Sequence, residues 1–138
     1  MDSSRFNTLW QRAGARNNST AAFAVLVDYY SEPHRRYHTA RHVRDCLETY
    51  DSAVPVLGNN DAVEMALWFH DVVYIVGQTD NESCSAALFR SLSEWYLPSD
   101  FSEQVVRLIM ATRHNQAPTA ADEQFATDVD LDGLAKPW

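Results

Sequence analysis

The sequence has little that bends, staples or charges a chain positively. Four glycines and five prolines in 138 residues leave out a collagen-like, low-complexity or turn-dense all-β chain. The two cysteines, Cys46 and Cys84, lie far apart and form no CxxC pair. Both sit in stretches of apolar periodicity and read as buried free thiols, which suits a reducing cytoplasm. Basic residues are few: 11 Lys and Arg stand against 19 Asp and Glu, for a formal charge of −8. Duplex DNA and anionic membrane surfaces attract basic faces, so neither is expected as a partner. The acidity leaves a small phosphorylated ligand open, because a bound metal ion can supply the missing positive charge. Met1-Asp2-Ser3-Ser4-Arg5 has no apolar run behind it, so no signal peptide is expected. The apolar runs, such as residues 21–27, are too short to span a bilayer. A cytoplasmic location is the expectation.

What is present is the ordinary material of a globular domain. Apolar residues make up 46% and charged residues 22%, with 4 Trp, 6 Tyr and 6 Phe to fill a core. The length fits one domain over residues 1–138 and needs no disulfide or metal to fold. Helical periodicity recurs between short breaks. Residues 4–13 place Phe6, Leu9 and Trp10 on one side. Thr20 is a cap candidate for a second helix bearing Phe23, Val27 and Tyr30, which Pro33 ends. A third helix spans 39–53 with Val43, Cys46, Leu47 and Tyr50 on one stripe, before a break at 55–60. Asn60 is expected to cap a fourth, carrying Val63, Ala66, Leu67 and His70. Asp80 or Asn81 opens a fifth, with Cys84, Leu88 and Trp95 at helical spacing. Asp100 and Glu103 fit a capping box ahead of Val105, Val106, Leu108, Ile109 and Thr112. A last helix covers 122–134. Residues 72–76 alone resemble a strand, unless they simply leave the fourth helix irregularly. The expected class is an all-α helical bundle with short connections.

Five motifs could carry chemistry, and each alone also has a plain structural reading. His70-Asp71 ends an apolar helical turn, and a neutral imidazole beside a carboxylate can turn toward one cation. Tyr37-His38-Thr39-Ala40-Arg41-His42 sets His38 and His42 four apart, on one helix face. Thr39 stands where a helical zinc protease would need Glu, so that class is disfavoured. Thr127-Asp128-Val129-Asp130-Leu131-Asp132 alternates carboxylates with other side chains but lacks the Gly and closing Glu of a calcium loop. Thr112-Arg113-His114-Asn115 ends an apolar helix, where cations are favoured by the helix dipole and could also meet a phosphate. Asp80-Asn81-Glu82-Ser83 is a helix start that could overlook the same cleft.

Taken together, the motifs fall in a telling order. His42 is followed by His70-Asp71 28 positions later, and by Asp130 a further 59 on. That order resembles the HD-domain superfamily, and within it the group described as metal-dependent HD phosphohydrolases. The matching stretches also include Ala66-Leu67-Trp68-Phe69 before the pair, Val72-Val73-Tyr74 after it, and Ile109-Met110-Ala111-Thr112 before His114. The resemblance implies an HD-like bundle with His42, His70, Asp71 and Asp130 as metal ligands. Asp128 competes with Asp130 for the last place. It further implies His38 beside the site, with Glu82, Arg113 and His114 as substrate or supporting residues. The group continues with further helices past this point, so the chain is expected to stop short of a C-terminal part. A homodimer could then hide the apolar surface left bare.

The implied chemistry is phosphoester hydrolysis with one divalent transition metal per chain: manganese, iron, cobalt, nickel or zinc. Glu82 or His38 would orient the attacking water, and Arg113 or His114 would stabilise developing charge. The expected substrate is a small phosphomonoester or phosphodiester, with a nucleotide favoured. Tyr37 and Tyr74 are candidates to stack a base, and Phe69 is read as core. The alternative is a module on the same fold that binds a nucleotide or a protein without turnover. The third reading, ranked after these two, is a small helical interaction protein with structural histidines.

Overall fold

A computed structural model describes residues 1–136. Seven helices and no strand are found among them, so the all-α expectation holds. Pro137 and Trp138 lie outside the described residues. Among the described residues no helix is long and apolar enough to cross a membrane.

The organising element is α4 (Asp61–Phe69), in which Ala62 to Phe69 are all buried. A helix that is apolar on every side must be wrapped by others. It packs against α1 (Ser3–Arg12), α3 (Ala40–Leu57), α5 (Asn81–Ser93), α6 (Ser99–Ala111) and α7 (Ala121–Ala135). Asn60 caps α4 as expected, its Oδ1 accepting from Val63 N–H at 3.1 Å. One exception interrupts the apolar sleeve: Glu64, 5% exposed, meets Arg5 Nε at 2.9 Å and Arg12 at 3.6 Å. Phe6, Leu9 and Trp10 of α1 are fully buried, and Phe6 stands edge-on to Trp68 with centroids 5.3 Å apart.

Several local expectations shift. In α2 (Thr20–Tyr30) the buried stripe is Ala22, Leu26 and Tyr30, and Val27 faces solvent. Thr20 is the first helical residue and not the cap. The third helix runs through Pro55 to Leu57 and stops at Gly58, whose φ of +85° ends the right-handed turn. Pro55 is tolerated because it sits in the last turn on an exposed face, where the carbonyl it deprives of a donor is open to solvent. In α5 the inward face is Ser85, Ala86, Phe89 and Ser93. Trp95 lies past the helix end and is 76% exposed, and Cys84 is half-buried, so only Cys46 is a buried thiol. The capping box at α6 does not form: the helix starts behind Pro98, and Glu103 pairs with Arg90 at 3.0 Å.

Residues 72–76 are not a strand. Side chains take the backbone bonds that a partner strand would have made. Ser85 Oγ accepts from Val73 N–H, Asn81 binds both N–H and C=O of Ile75, and the Arg35 guanidinium donates to the carbonyls of Asp71 and Val72.

Candidate metal centre

Three elements bring the predicted residues together. Thr39 caps α3 by accepting from Arg41 N–H, which starts the helix so that His42 lies in its first turn, facing α4 and α7. His70 occupies the C-cap of α4, and Asp71 follows where the chain leaves the helix. Asp130 lies on the buried face of α7, which packs on both α3 and α4.

Four atoms converge. His42 Nε2 lies 3.2 Å from His70 Nε2 and 3.0 Å from Asp130 Oδ1. His70 Nε2 is 3.2 Å from the same Asp130 oxygen and 3.2 Å from Asp71 Oδ2. The Asp71 oxygen is 3.5 Å from His42 Nε2. Donors bound about 2.1 Å from one ion at tetrahedral or octahedral angles sit about 3.0–3.4 Å from each other. His42, His70 and Asp130 are each under 5% exposed.

Cys46 is the member of this neighbourhood that the sequence reading placed only in the core. The buried group His42, Cys46, His70 and Asp130 brings one potential ligand atom from each residue within 4.8 Å of the others and could hold a metal ion. Its sulfur is 3.6 Å from His42 Nε2 and 3.8 Å from Nδ1. Near-equal distances to the two nitrogens put the sulfur over the face of the ring, off the Nε2 lone-pair direction. Burial pushes the thiol's pKa up to about 12, so it is protonated in the metal-free chain. Gly133 closes this side: a Cβ there would lie 2.9 Å from the sulfur and 3.3 Å from His42 Cε1. A spacing rule of i, i+4 from His42 could have found Cys46, since both face inward from α3.

Around the four atoms stand two more histidines. His38 Nδ1 is 2.8 Å from Asp71 Oδ2, and its ring lies against Tyr74, with centroids 3.9 Å apart. His114 Nε2 is 2.7 Å from Asp130 Oδ2. Reaching it requires a left-handed backbone at His114, φ +57°. Asp128 faces solvent and accepts from Gln124, so the choice between the two aspartates falls on Asp130. Glu82 is half-buried on α5 and makes no hydrogen bond to the cluster; its charge reaches His114 and favours the imidazolium. Arg113 is exposed and turned to a depression shared with Arg107 and Met110, away from the cluster. The structure therefore gathers His38, His42, His70, Asp71, Asp130 and His114, and leaves Arg113 outside. Tyr37 is exposed, and Phe69 is core, edge-on to Phe89.

Arg35 was not singled out in the sequence, and it holds the rim in place. Its buried guanidinium donates to the carbonyls of His38 at 2.8 Å and Asp71 at 2.7 Å, while Glu32 neutralises it. One side chain thereby fixes the segments that carry His38 and Asp71.

The electrostatics follow from burial among opposite charges. Burial by itself disfavours the charged form of His70, but Asp71 and Asp130 outweigh it and hold its pKa well above the usual value. Burial likewise would raise the two carboxylates, yet His70 overrides it, with His38 at Asp71 and His114 and His42 at Asp130, so both lie well below the carboxylate range. His114 is raised chiefly by its hydrogen bond to Asp130.

No family model, curated protein or solved structure matches the chain.

Proposed function

We propose that the chain is a metal-dependent hydrolase of small phosphoesters, with a nucleotide the favoured substrate class. One observation carries the metal. His70 Nδ1 is 2.9 Å from the Leu67 carbonyl, which accepts its hydrogen and fixes the tautomer. His70 Nε2 is thereby left as a lone pair, aimed at two carboxylate oxygens and a second imidazole nitrogen. The His70 lone pair and the two carboxylate oxygens facing it are stable together only around a shared positive charge, either a proton or an ion. Two imidazoles and two carboxylates suit a divalent transition metal.

In this reading His42, His70, Asp71 and Asp130 hold one ion. When bound, the ion lowers the pKa of a coordinated water and polarises a phosphoryl oxygen. The rest belongs to the chain's own side chains. His38 gives its Nδ1 hydrogen to Asp71, so Nε2 is the atom that can take a proton from the attacking water. Tyr74 restrains the ring and Arg35 restrains the backbone beneath it. His114, donating to Asp130 through Nε2 and favoured as a cation, offers positive charge to the phosphate at the exposed edge. Glu82 sustains that charge. Arg113 drops out of the mechanism.

Elemental analysis beside turnover of p-nitrophenyl phosphate, bis-p-nitrophenyl phosphate and a nucleotide panel tests this. About one metal per chain, lost together with turnover in His70→Ala and Asp130→Asn, is the expected result. A metal held without turnover of any phosphoester would instead favour the binding module. A chain that takes up no manganese, iron, cobalt, nickel or zinc would end the hydrolase reading.

A further inference from the structure

The connection from α6 to α7, residues 112–120, separates two surface depressions. One holds Arg107 and Arg113, and none of the metal-centre side chains lines it. The other, about 390 Å³, lies between the connection and the α7 face of Gln124, Asp128 and Leu131. Their i, i+4, i+7 spacing sets these three along one helical stripe. His114 joins this groove to the metal centre: it lines the groove, and its Nε2 lies 2.7 Å from Asp130 Oδ2. One imidazole therefore stands between the two.

The groove's own chemistry indicates which part of a phosphoester fits there. No Lys or Arg is among its lining residues, so the phosphate itself is not drawn to it. Gln124 Nε2 donates to Asp128 Oδ1 at 2.8 Å, which steadies the carboxylate. Asp128 Oδ2 has no partner among the described residues, and neither have the carboxamides of Asn115 and Gln116 on the connection side. A carboxylate oxygen accepts from hydroxyls, and carboxamides both donate and accept. Apart from His114 the lining has no aromatic ring to stack a base, and Leu131, 50% exposed, offers a small apolar ledge. That set matches a sugar, which has hydroxyls that donate and accept and a C–H face to lie on a leucine. A carboxylate that reads ribose hydroxyls is a recurrent device in nucleotide sites.

We propose that this groove holds the sugar of a sugar-phosphate ester, whose vicinal 2- and 3-hydroxyls donate to the free oxygen of Asp128. A free pentose phosphate and a ribonucleotide share this chemistry. The proposal deepens the hydrolase reading and rests on it for the seat of the phosphate. Asp128, which is not in the metal cluster, is then the residue that selects the alcohol part of the ester.

The test is an NMR titration of the zinc-loaded whole chain with inorganic phosphate, ribose 5-phosphate, 2-deoxyribose 5-phosphate and adenosine 5′-phosphate. The Gln124 side-chain amide, identified by its loss in Gln124→Ala, reports the groove, and the His114 imidazole reports the phosphate. Inorganic phosphate is expected to move His114 alone. Ribose 5-phosphate should move both, saturably, and the 2-deoxy sugar should bind about tenfold more weakly, as for one hydrogen bond to a charged acceptor. Asp128→Ala, at an exposed position, keeps the metal and closes the gap between the two sugars. Tighter binding of adenosine 5′-phosphate than of ribose 5-phosphate identifies the ribonucleotide as the source of the sugar, and equal binding identifies the free sugar phosphate. Two sugars that bind the wild-type chain equally, or that leave the Gln124 amide in place, overturn the proposal. The hydrolase reading then still stands if His114 responds to inorganic phosphate. If no phosphate compound moves His114, the seat of the phosphate is lost and both fall together.

Discussion

Two buried carboxylates in this bundle, Glu64 and Asp130, are solved by opposite means. Glu64 sits in the first turn of α4 and meets Arg5 and Arg12, whose charge is permanent. Asp130, on α7, meets His42, His70 and His114, whose charge depends on a proton. The first arrangement is complete in itself and holds α1 to α4. The second is complete only with an added proton or cation. The same helix, α4, thus carries a structural ion pair near one end and, at the other, part of a cluster that could hold an ion. The lesson is that the partner, more than the burial of the acid, separates scaffold from site.

The sharpest way to break the comparison is to exchange the outcomes of the two acids. Asp130→Asn is expected to abolish metal retention and to lower phosphoester turnover at least 100-fold, on the order expected for loss of a positioned metal ligand. Helical circular dichroism should stay intact. Glu64→Ala should do the reverse: metal content unchanged, and stability lower by about 2 kcal/mol in urea unfolding, since a partly buried pair is broken. If Glu64→Ala also strips the metal, the two regions are not separable.

Gly133→Ala probes the wall of the site. In an open helix the added methyl would stabilise, but here it meets Cys46 Sγ and His42 Cε1. A loss of about 1–3 kcal/mol is expected, as for overpacking, with weaker metal binding by competition against a chelator. Cys46→Ala in the same chain should recover most of it, giving a clear coupling in a double-mutant cycle.

Acidity offers a further probe. In the metal-free chain Asp71 and Asp130 contribute stability above their unfolded value of about 3.9, lost as pH falls through their lowered folded values. His70 contributes stability below its unfolded value of about 6.5, lost as pH rises through its raised folded value. With EDTA present, the melting temperature should therefore peak between about pH 4 and 6.5. Metal must displace the His70 proton, so its apparent affinity should rise with pH, and loading should move the optimum to higher pH. A melting profile that metal leaves unchanged would separate His70 from the ion. The smallest expected effect is Arg35→Met. Metal should be retained while the His38 contact to Asp71 loosens, seen as a shifted pH–rate profile that Arg35→Lys partly restores.

Much of this was legible from residue spacing. The stripes Phe6-Leu9-Trp10 and Val43-Cys46-Leu47-Tyr50 are buried as periodicity requires, and the Asn60 cap forms. The order of His42, His70-Asp71 and Asp130 singled out two imidazoles that meet each other and both carboxylates within 3.5 Å. What was hidden depended on tertiary partners. Residues 72–76 have strand composition, yet side chains of Arg35, Ser85 and Asn81 hold their backbone, and no local pattern announces that. Asp100 and Glu103 have the spacing of a capping box, but the ion pair to Arg90 takes Glu103 away. Arg113 and His114 are adjacent in sequence, yet the left-handed turn at His114 sends one inward and the other out. Cys46 was read as core, and its i, i+4 spacing from His42 also placed it beside that imidazole, because one inward stripe of α3 serves both roles.

Asp130 comes from α7, 88 positions after His42 and 60 after His70. Its arrival therefore fixes when, as well as where, the site exists. Contacts between distant segments bear the largest loop-closure cost and tend to form late in folding. Until α7 docks, the imidazoles of α3 and α4 stand beside Asp71 with one carboxylate missing. Capture of an ion by this group would then be coupled to the docking of α7. An ion already present should slow the detachment of α7 more than it speeds its docking.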